Sequence, residues 1–284
     1  MEERPEDILI GFVGQGWVGK SYADDFEQRG FKIVRYAKEP PHEENNDKIA
    51  QCDIVFIAVP TPTTPEGFDL SVLRSVIPLV GEGKVAVIKS TILPGTTKNL
   101  QEEHPKRIII HSPEFLSKKT ALEDVQNPSR NIIGVAEKTE AHLDAAQKLL
   151  KILRKAPFHT ITTAEEAELI KYAHNLHGYI QIVFSNLLYD VALHHNMDWD
   201  AILQALKANP MMSKHYLDPL HQSGRGAGGH CFIKDFEAFL QFFKETLKDE
   251  KGVKALEALR DKNLDLLKST GKDLHVLKEV YGEI

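Results

Sequence analysis

A cysteine between glycines and charged residues is the part of this sequence that most directly suggests chemistry. It lies in the run Gly228-Gly229-His230-Cys231-Phe232-Ile233-Lys234-Asp235. Apolar periodicity over residues 236–247 predicts a helix, so Cys231 is expected in a glycine-rich loop just before a helix N-terminus. That N-terminus and Lys234 would favour the nucleophilic thiolate, and Asp235 could handle a proton or orient a water. The glycines would let the backbone approach a ligand closely.

A structural role is the alternative for the same residues. A free cysteine is often only a small core residue, and Asp235 could simply be the N-cap of the following helix. From these residues alone, covalent catalysis and simple packing both stay open.

A second glycine motif lies near the start of the chain. Residues 8–13 are predicted as a buried strand, 20–29 as a helix and 31–36 as a second strand. The first turn of this βαβ unit carries GxGxxG, in the order Gly14, Gln15, Gly16, Trp17, Val18 and Gly19. Such glycines permit a tight turn, the approach of a pyrophosphate and close helix–strand packing. The motif therefore predicts a bound dinucleotide, and a glycine-rich turn without a ligand is the alternative.

The end of the second strand bears on the choice between NAD and NADP. NAD enzymes usually place an acid there for the ribose hydroxyls, whereas this chain has Ala37. Glu39 could reach the ribose from a bent loop. Arg35 and Lys38 could instead hold a 2′-phosphate, or be solvated charges. NAD is the first expectation and NADP the alternative.

Further apolar runs predict more strands, at residues 52–59, 85–90, 107–111 and 131–135, followed by a helix at 140–153. Alternating strands and helices predict a doubly wound, Rossmann-like parallel sheet with helices on both faces. Thr61, Thr91 and Glu114 follow strand ends, where such sheets bind ligands. Cys52 begins a strand and is expected to be a packing residue.

The second half of the chain is predicted to be helical. Thr163 and Glu166 form a capping box that opens a helix, whose pattern has no Gly or Pro before Gly178 and can continue to His194. Lys171 and Asn175 lie four residues apart and would present an ammonium and an amide on one face, with an ordinary solvated pair as the alternative.

The remaining elements complete the predicted domain organisation. Asp198 is expected to cap a helix to residue 207, and a long loop to span residues 208–230, before helices at 236–247 and 252–268 and a short tail. We predict a dinucleotide-binding domain at residues 1–160. A helical domain at residues 161–284 would carry the cysteine loop, and its long helix would form a dimer seam.

Composition excludes several classes of protein. The 284 residues are 42% hydrophobic and 27% charged, and the net charge of −6 gives no reason to expect nucleic acid or an anionic membrane as a partner. Two cysteines make no disulfide framework or CxxC zinc site. No leader and no membrane-length apolar run are recognised, which makes a cytoplasmic location the expectation.

Together these motifs resemble the UDP-glucose/GDP-mannose dehydrogenase family, in the family's order along nearly the whole chain. The stretches that carry the resemblance are the glycine turn, Val59-Pro60-Thr61-Pro62, Lys89-Ser90-Thr91, Pro94-Gly95-Thr96-Thr97, Ser112-Pro113-Glu114-Phe115-Leu116, Asn127-Pro128-Ser129-Arg130, Glu168-Leu169-Ile170-Lys171-Tyr172-Ala173-His174-Asn175 and the cysteine run.

The resemblance implies NAD-dependent oxidation of a sugar-nucleotide primary alcohol to a carboxylate, as in polysaccharide biosynthesis. It implies that Lys171, with Asn175, Asp235 and a water, manages the proton of the first oxidation. Cys231 would then form a thiohemiacetal and a thioester, and Glu114 and Thr91 would position the water that hydrolyses it. Implied cofactor contacts are the six residues of the glycine turn, Val59, Pro60, Thr61, Thr91 and Lys234.

Some residues depart from the family's pattern. The family's third, nucleotide-binding domain is not recognised here, and Ala37 and Lys118 replace acids near the cofactor. An arginine that usually precedes the cysteine loop has no clear counterpart, although His215 lies nearby. Gly-Gly-His-Cys is closer to members that oxidise UDP-N-acetylhexosamines. The alternatives are a single-step β-hydroxyacid-type dehydrogenase and a non-catalytic subunit that completes its site with another chain.

Overall fold

The structure is a computed structural model that describes residues 7–222 and 224–283. Predictions for residues 1–6, for Ser223 in the loop before the cysteine and for Ile284 lie outside the described residues. Internal contacts divide the chain into a first unit, residues 1–61 and 70–171, and a second unit, residues 62–69 and 172–284. The domain boundary after residue 160 stays a prediction.

Eleven strands occur in the described residues. In chain order they are β1 (Leu9–Val13), β2 (Lys32–Tyr36), β3 (Ile54–Ile57), β4 (Thr63–Thr64), β5 (Gly67–Phe68), β6 (Val85–Ile88), β7 (Ile108–His111), β8 (Arg130–Val135), β9 (Phe158–Thr163), β10 (Leu220–His221) and β11 (Gly224–Arg225).

The α-helices of the described residues also number eleven. They are α1 (Trp17–Gln28), α2 (Asn46–Ile49), α3 (Ser71–Val76), α4 (Thr96–Glu103), α5 (Ala121–Gln126), α6 (Glu140–Ile152), α7 (Ala164–His194), α8 (Trp199–Ala208), α9 (His230–Thr246), α10 (Glu250–Thr270) and α11 (Leu274–Tyr281). No described helix is long and apolar enough to cross a bilayer.

The first unit is a Rossmann-like sheet of seven strands in the order β2-β1-β3-β6-β7-β8-β9. This confirms the predicted fold class, with one correction. The sheet is mixed, because β8 runs antiparallel to β7 and then parallel to β9. The six-residue helix α5 does not carry the chain back across the sheet, so β8 starts at the edge where β7 ends. β9 was missed because it is a partly exposed edge strand without an apolar run.

Aromatic rings form the centre of the core in the first unit. Phe12 on β1 stacks on Phe56 of β3 at 5.2 Å and meets Phe26 of α1 edge-on at 5.6 Å between ring centroids. Burying a side chain of this kind contributes about 1.5–3 kcal/mol, which fixes α1 against the sheet. Cys52 is fully buried beside Gly11, so its prediction as a packing residue is confirmed.

The long helix α7 begins and ends where the sequence predicts. Thr163 N donates to Glu166 Oε2 at 2.9 Å and Glu166 N donates to Thr163 Oγ1 at 3.3 Å, which is the expected capping box. The cap of α8 is confirmed as well, because Asp198 Oδ1 accepts hydrogen bonds from the backbone N–H groups of Asp200 and Ala201.

The second unit departs from prediction at three places. The expected loop over residues 208–230 contains a 3₁₀ turn, Lys214–Tyr216, and the antiparallel pair β10–β11. Helix α9 begins at His230 rather than at 236, because Gly229 adopts φ 81° as its N-cap and the buried residues Ile233 and Phe236 already follow helical spacing. The expected tail contains α11.

A buried carboxylate joins two helices of the first unit. Glu168 on α7 accepts hydrogen bonds from the backbone N–H groups of Gly95 (2.6 Å) and Thr97 (2.8 Å) and from the Thr97 hydroxyl (2.5 Å). It thereby caps α4, whose N-cap Gly95 has no side chain for this purpose. Burial raises the pKa of Glu168 to about 7, although these hydrogen bonds favour the ionised form.

Replacing Glu168 by Gln should raise the free energy of unfolding of the first unit, relative to that of the wild type, as pH rises from about 4.5 to about 7. The folded chain holds a proton on Glu168 at pH values where the unfolded chain has lost it, so this group makes wild-type stability fall as pH rises from about 4.5 to about 7. The measurement is urea unfolding at several pH values, followed by Trp17 fluorescence in a Trp199→Phe background. Glu166→Gln on the same helix is the control and should keep the wild-type slope over this range.

Candidate active site

The GxGxxG turn leaves open space at only one of its three glycines. A Cβ at Gly14, which has φ +89°, would lie 2.3 Å from the Ala58 carbonyl oxygen, and a Cβ at Gly19 would lie 2.0 Å from that of Gly14. A Cβ at Gly16 would meet nothing within 4 Å. The outer glycines are therefore needed for packing, and the middle one keeps the space above the start of α1 clear.

This space fits the pyrophosphate of a dinucleotide. Helix α1 begins at Trp17, three residues earlier than predicted, so the N–H groups of Trp17 and Val18 belong to its first turn. A helix N-terminus with unpaired N–H groups and no Cβ in front of it favours an anion. Gln15 lies in the turn with its amide near the carbonyl oxygens of Phe12 and Gly14.

The other predicted cofactor contacts in the first unit lie at the carboxyl ends of neighbouring strands. Ser90 Oγ donates to the Val59 carbonyl and accepts from the Val59 N–H, which ties together the segments after β3 and β6. Thr61 Oγ1 donates to the Thr91 carbonyl at 2.7 Å. Pro60, which lies between Val59 and Thr61 in the chain, is exposed. These segments are held to each other next to the glycine turn, as the parallel strands require.

Arg35 is already paired within the chain. Its guanidinium lies 2.8 Å from Asp24 Oδ1 and 2.7 Å from Glu27 Oε2, and its side chain is 14% exposed. A 2′-phosphate would have to compete with two carboxylates for this group. This arrangement disfavours the alternative in which Arg35 selects NADP.

Lys171 and Glu114 form a buried ion pair in the first unit. Lys171 Nζ donates to Glu114 Oε1 at 3.0 Å, and the two side chains are 6% and 8% exposed. Glu114 Oε2 accepts the backbone N–H of Leu116 at 2.7 Å, which fixes the carboxylate. The solvated-pair interpretation of Lys171 is wrong, because its ammonium is desolvated and oriented by a single carboxylate.

A second buried polar group lies in the second unit. Asn175 follows Lys171 by one turn of α7 and donates through Nδ2 to Asp235 Oδ2 at 2.6 Å. Asp235 Oδ1 accepts from the neighbouring Lys234, whose own carbonyl accepts from the Thr63 hydroxyl. Asp235 lies inside α9, so its interpretation as an N-cap is wrong. Lys234 is fixed by this carboxylate, and its predicted cofactor contact stays a prediction.

Cys231 is exposed and lies in the first turn of α9, not in the loop before it. It is not part of a disulfide. Asp235 follows Cys231 by one helical turn, so both residues lie on the same side of α9. Cys231, nearer the N-terminus of the helix, is exposed, and Asp235 is buried. The core-residue interpretation of Cys231 is therefore wrong.

Two buried polar residues of the first unit, Lys89 and His111, were missed. Lys89 at the end of β6 donates to Ser112 Oγ (3.0 Å) and lies over the Tyr22 ring, and burial lowers its pKa to about 7. His111 is fully buried, neither ring nitrogen has a hydrogen-bond partner in the described residues, and burial with nearby ammonium groups lowers its pKa to about 3. A charged residue that ends an apolar strand was the available signal for Lys89.

Comparison with known proteins identifies the family. Residues 41–154 match the NAD-binding domain of the UDP-glucose/GDP-mannose dehydrogenase family, and residues 165–264 match its central domain. The chain belongs to this family. The prediction of NAD as cofactor is confirmed, since the first match is to the family's NAD-binding domain. The glycine turn precedes the matched residues, so its geometry is an observation independent of the family match.

This chain matches only part of the length of its curated relatives. A Bacillus subtilis protein provisionally named UDP-glucose 6-dehydrogenase, YtcA, is 34% identical over 82% of this chain and 56% of its own. UDP-glucose 6-dehydrogenase AglM of Haloferax volcanii is 26% identical over 81% of this chain and 64% of its own. The chain thus spans a little over half the length of these curated relatives.

A solved structure agrees with the fold. The UDP-glucose dehydrogenase from the hyperthermophilic archaeon Pyrobaculum islandicum has a TM-score of 0.76 and 27% identity, and covers 89% of this chain and 68% of its own.

Alanine substitutions at two glycines should separate cofactor binding from folding. Gly16→Ala fits the open space and an extended backbone, so the melting temperature should change little while NAD affinity falls at least about 10-fold. Gly19→Ala forces a clash with the Gly14 carbonyl and should lower the melting temperature by several degrees, at about 2 °C per kcal/mol of lost stability. The measurements are calorimetric titration with NAD and thermal unfolding. Wild-type NAD affinity in Gly16→Ala would contradict this placement of the cofactor.

Proposed function

We propose that this chain carries the catalytic part of an NAD-dependent nucleotide-sugar 6-dehydrogenase of the UDP-glucose or UDP-N-acetylhexosamine type. It would oxidise the primary alcohol of the sugar to a carboxylate through a covalent intermediate on Cys231. The observation that carries this proposal is the buried Lys171–Glu114 pair in a chain that also presents an exposed cysteine on a helix N-terminus. NAD, when bound, supplies the hydride acceptor for each of the two oxidations.

Lys171 has the environment of a group that handles protons. Glu114 takes one of its three N–H donors, which leaves two for a substrate oxygen and a water. A desolvated ammonium stabilises negative charge on an oxygen strongly, as an alcohol loses its proton and as a tetrahedral alkoxide forms. The paired carboxylate keeps this ammonium oriented between the two oxidations.

Asn175 and Asp235 would assist the first oxidation. Asp235 accepts hydrogen bonds from both Asn175 and Lys234, so its carboxylate is held without a bond to bulk water. Asn175 then presents its amide oxygen, an acceptor, in a fixed direction. We assign these two residues to holding a water or a substrate hydroxyl while Lys171 handles the proton.

Cys231 would carry the second oxidation. Its thiolate adds to the aldehyde carbon and the carbonyl oxygen takes up a proton, which gives a thiohemiacetal. Loss of a hydride and a proton from this adduct leaves a thioester. Water then adds to the thioester, the C–S bond breaks, and the thiol leaves with a proton as the acid forms. The net change consumes one alcohol, one water and two NAD.

Thioester hydrolysis needs a positioned water. Glu114 follows β7 and Thr91 follows β6, neighbouring strands in register, so both lie at the same edge of the sheet. A carboxylate accepts the proton of an attacking water, and a threonine hydroxyl orients it. We assign these roles to Glu114 and Thr91.

Cys231→Ala should abolish acid formation, with a loss of at least about 1,000-fold, because no other thiol can form the thioester. The measurement is NADH and acid produced from UDP-glucose and UDP-N-acetylmannosamine, with two NADH expected for each acid in the wild type. The control is Cys52→Ala, since Cys52 is buried and burial raises the pKa of its thiol to about 12.

The alternatives give different outcomes in the same assay. Acid formed by Cys231→Ala at the wild-type rate would exclude the covalent route. One NADH for each substrate, with an aldehyde or ketone as product, would favour a single-step dehydrogenase. No cofactor reduction, together with a stable complex with a second protein, would favour a non-catalytic subunit. A cytoplasmic location stays a prediction.

The proposed partner of the chain is a second copy that binds through α7. Four exposed apolar residues of this helix lie at i, i+4, i+7 and i+11 and make a continuous stripe: Ile180, Phe184, Leu187 and Val191. This spacing is typical of helices that pair along their length. An antiparallel pair of identical stripes is self-complementary about a two-fold axis, as a homodimer requires.

Phe184→Glu should convert the dimer to a monomer, because it places a charge at the centre of the stripe. The measurement is mass by light scattering after size-exclusion chromatography, over a range of concentrations. The control is Phe158→Glu, which changes a phenylalanine of similar exposure, 56% against 53%, on β9. A wild type that is monomeric at high concentration, or a Phe184→Glu variant that remains dimeric, would contradict the proposal.

A further inference from the structure

The turn between α10 and α11 lies against the glycine-rich loop that leads to Cys231. Lys272, 3% exposed, donates through Nζ to the Gly226 carbonyl at 2.9 Å and lies 3.4 Å from that of Gly224. Its charge is satisfied by carbonyl oxygens of the loop, and burial lowers its pKa. A desolvated lysine that only bonds backbone oxygens acts as a structural clamp on that backbone.

Asp273 contacts the residue that precedes α9. Its Oδ2 accepts the backbone N–H of Gly229 at 2.7 Å. Asp273 is itself the N-cap of α11, at φ 53°, but its side chain makes no capping hydrogen bond to α11. A residue type suited to capping is thus used to hold the residue that precedes α9.

The glycines of this loop serve the same contact. A Cβ at Gly224 would lie 2.3 Å from Thr270 Oγ1, and one at Gly228 would lie 2.1 Å from Asp273 Oδ2. At Gly226 a Cβ would lie 3.0 Å from Asn263 Oδ1. Three alternate glycines therefore face residues 263–273 of the same chain. The expectation that Gly228 opens the backbone to a ligand is corrected, whereas Gly229 keeps open space.

Asn263 makes two hydrogen bonds to the backbone of Ala227, at the centre of the loop. Its Oδ1 accepts the Ala227 N–H at 2.6 Å, and its Nδ2 donates to the Ala227 carbonyl at 3.0 Å. Backbone groups from Gly224 to Gly229 are thus held by side chains of a single segment. The end of this loop is the N-cap of the helix whose second residue is Cys231.

We infer that Lys272 and Asp273 are positioning residues for Cys231, because they fix the loop and the N-cap that set where the thiol stands. The inference rests on the proposed function and adds to it two residues beyond the matched central domain, which ends at residue 264. A displacement of about 1 Å in a reacting group can cost about 100-fold in rate. Loss of the clamp therefore impairs the step that needs the sulfur and spares the alcohol oxidation, in which Lys171 handles the proton.

Asp273→Gly is the decisive variant. Glycine adopts φ 53° without strain and is tolerated at an N-cap, so this change removes the carboxylate without opposing the fold. Asp273→Asn keeps an oxygen acceptor and also tolerates this backbone, so it should rescue the function. Asp265→Ala, an exposed carboxylate of α10, is the matched control.

The readout is the partition between aldehyde and acid from UDP-glucose with NAD, with aldehyde trapped as an oxime. Asp273→Gly should lower acid formation at least about 10-fold while alcohol oxidation falls less than about 3-fold. Asp273→Asn and Asp265→Ala should stay within about 2-fold of the wild type for both products. An unchanged partition in Asp273→Gly, or an equal fall of both products, would overturn the inference.

Hydrogen exchange tests the clamp without catalysis. In the NAD-free protein, Asp273→Gly and Lys272→Met should speed exchange of the amides of residues 224–231 at least about 10-fold, with residues 9–13 of β1 unchanged. Lys278→Met, an exposed lysine of α11, is the control for the second variant. If the wild type forms no acid, the proposed function is contradicted. The exchange data then still decide whether residues 263–273 hold the loop.

Discussion

A buried carboxylate with three donors sets the position of the helix on which the candidate site depends. Glu168 binds the N–H groups of Gly95 and Thr97, so the start of α4 and the first turns of α7 cannot move separately. Lys171 lies three residues further along α7, on the adjacent part of the same face, and reaches Glu114 from there. The hydrogen bonds of Glu168 thus fix the part of α7 that positions Lys171 next to Glu114.

The glycine-rich segments solve two different physical problems. At the first turn, Gly14 and Gly19 allow backbone to pack on backbone, and Gly16 leaves room in front of a helix N-terminus. In the loop before Cys231, the room at Gly224 and Gly228 is filled by side chains of the chain itself. Similar composition therefore leaves open space in one case and forms an internal packing contact in the other.

The sequence was sufficient for features that depend on short-range chemistry. The capping box of Thr163 with Glu166, the cap at Asp198 and the glycine turn all require residues only a few positions apart, and all are present. Partners distant in sequence could not be derived in the same way. Nothing in local pattern indicates that Asp273 meets Gly229, or that the sheet reverses direction between β7 and β8.

Burial was the other quantity that local pattern could not supply. Lys171 and Asn175 were expected on one face, but spacing alone does not distinguish a solvated face from a desolvated one. The structure buries both and gives each a carboxylate partner, Glu114 for the lysine and Asp235 for the asparagine. It leaves Cys231 exposed.

That contrast has a chemical rationale. An ammonium stabilises charge best where water is excluded, since its field is then least screened. A nucleophile must instead be reachable by a carbon that arrives with the substrate, and a helix N-terminus favours its anionic form without burial. The opposite exposure of Lys171 and Cys231 therefore matches the roles proposed for them, charge stabilisation for the lysine and covalent attack for the cysteine.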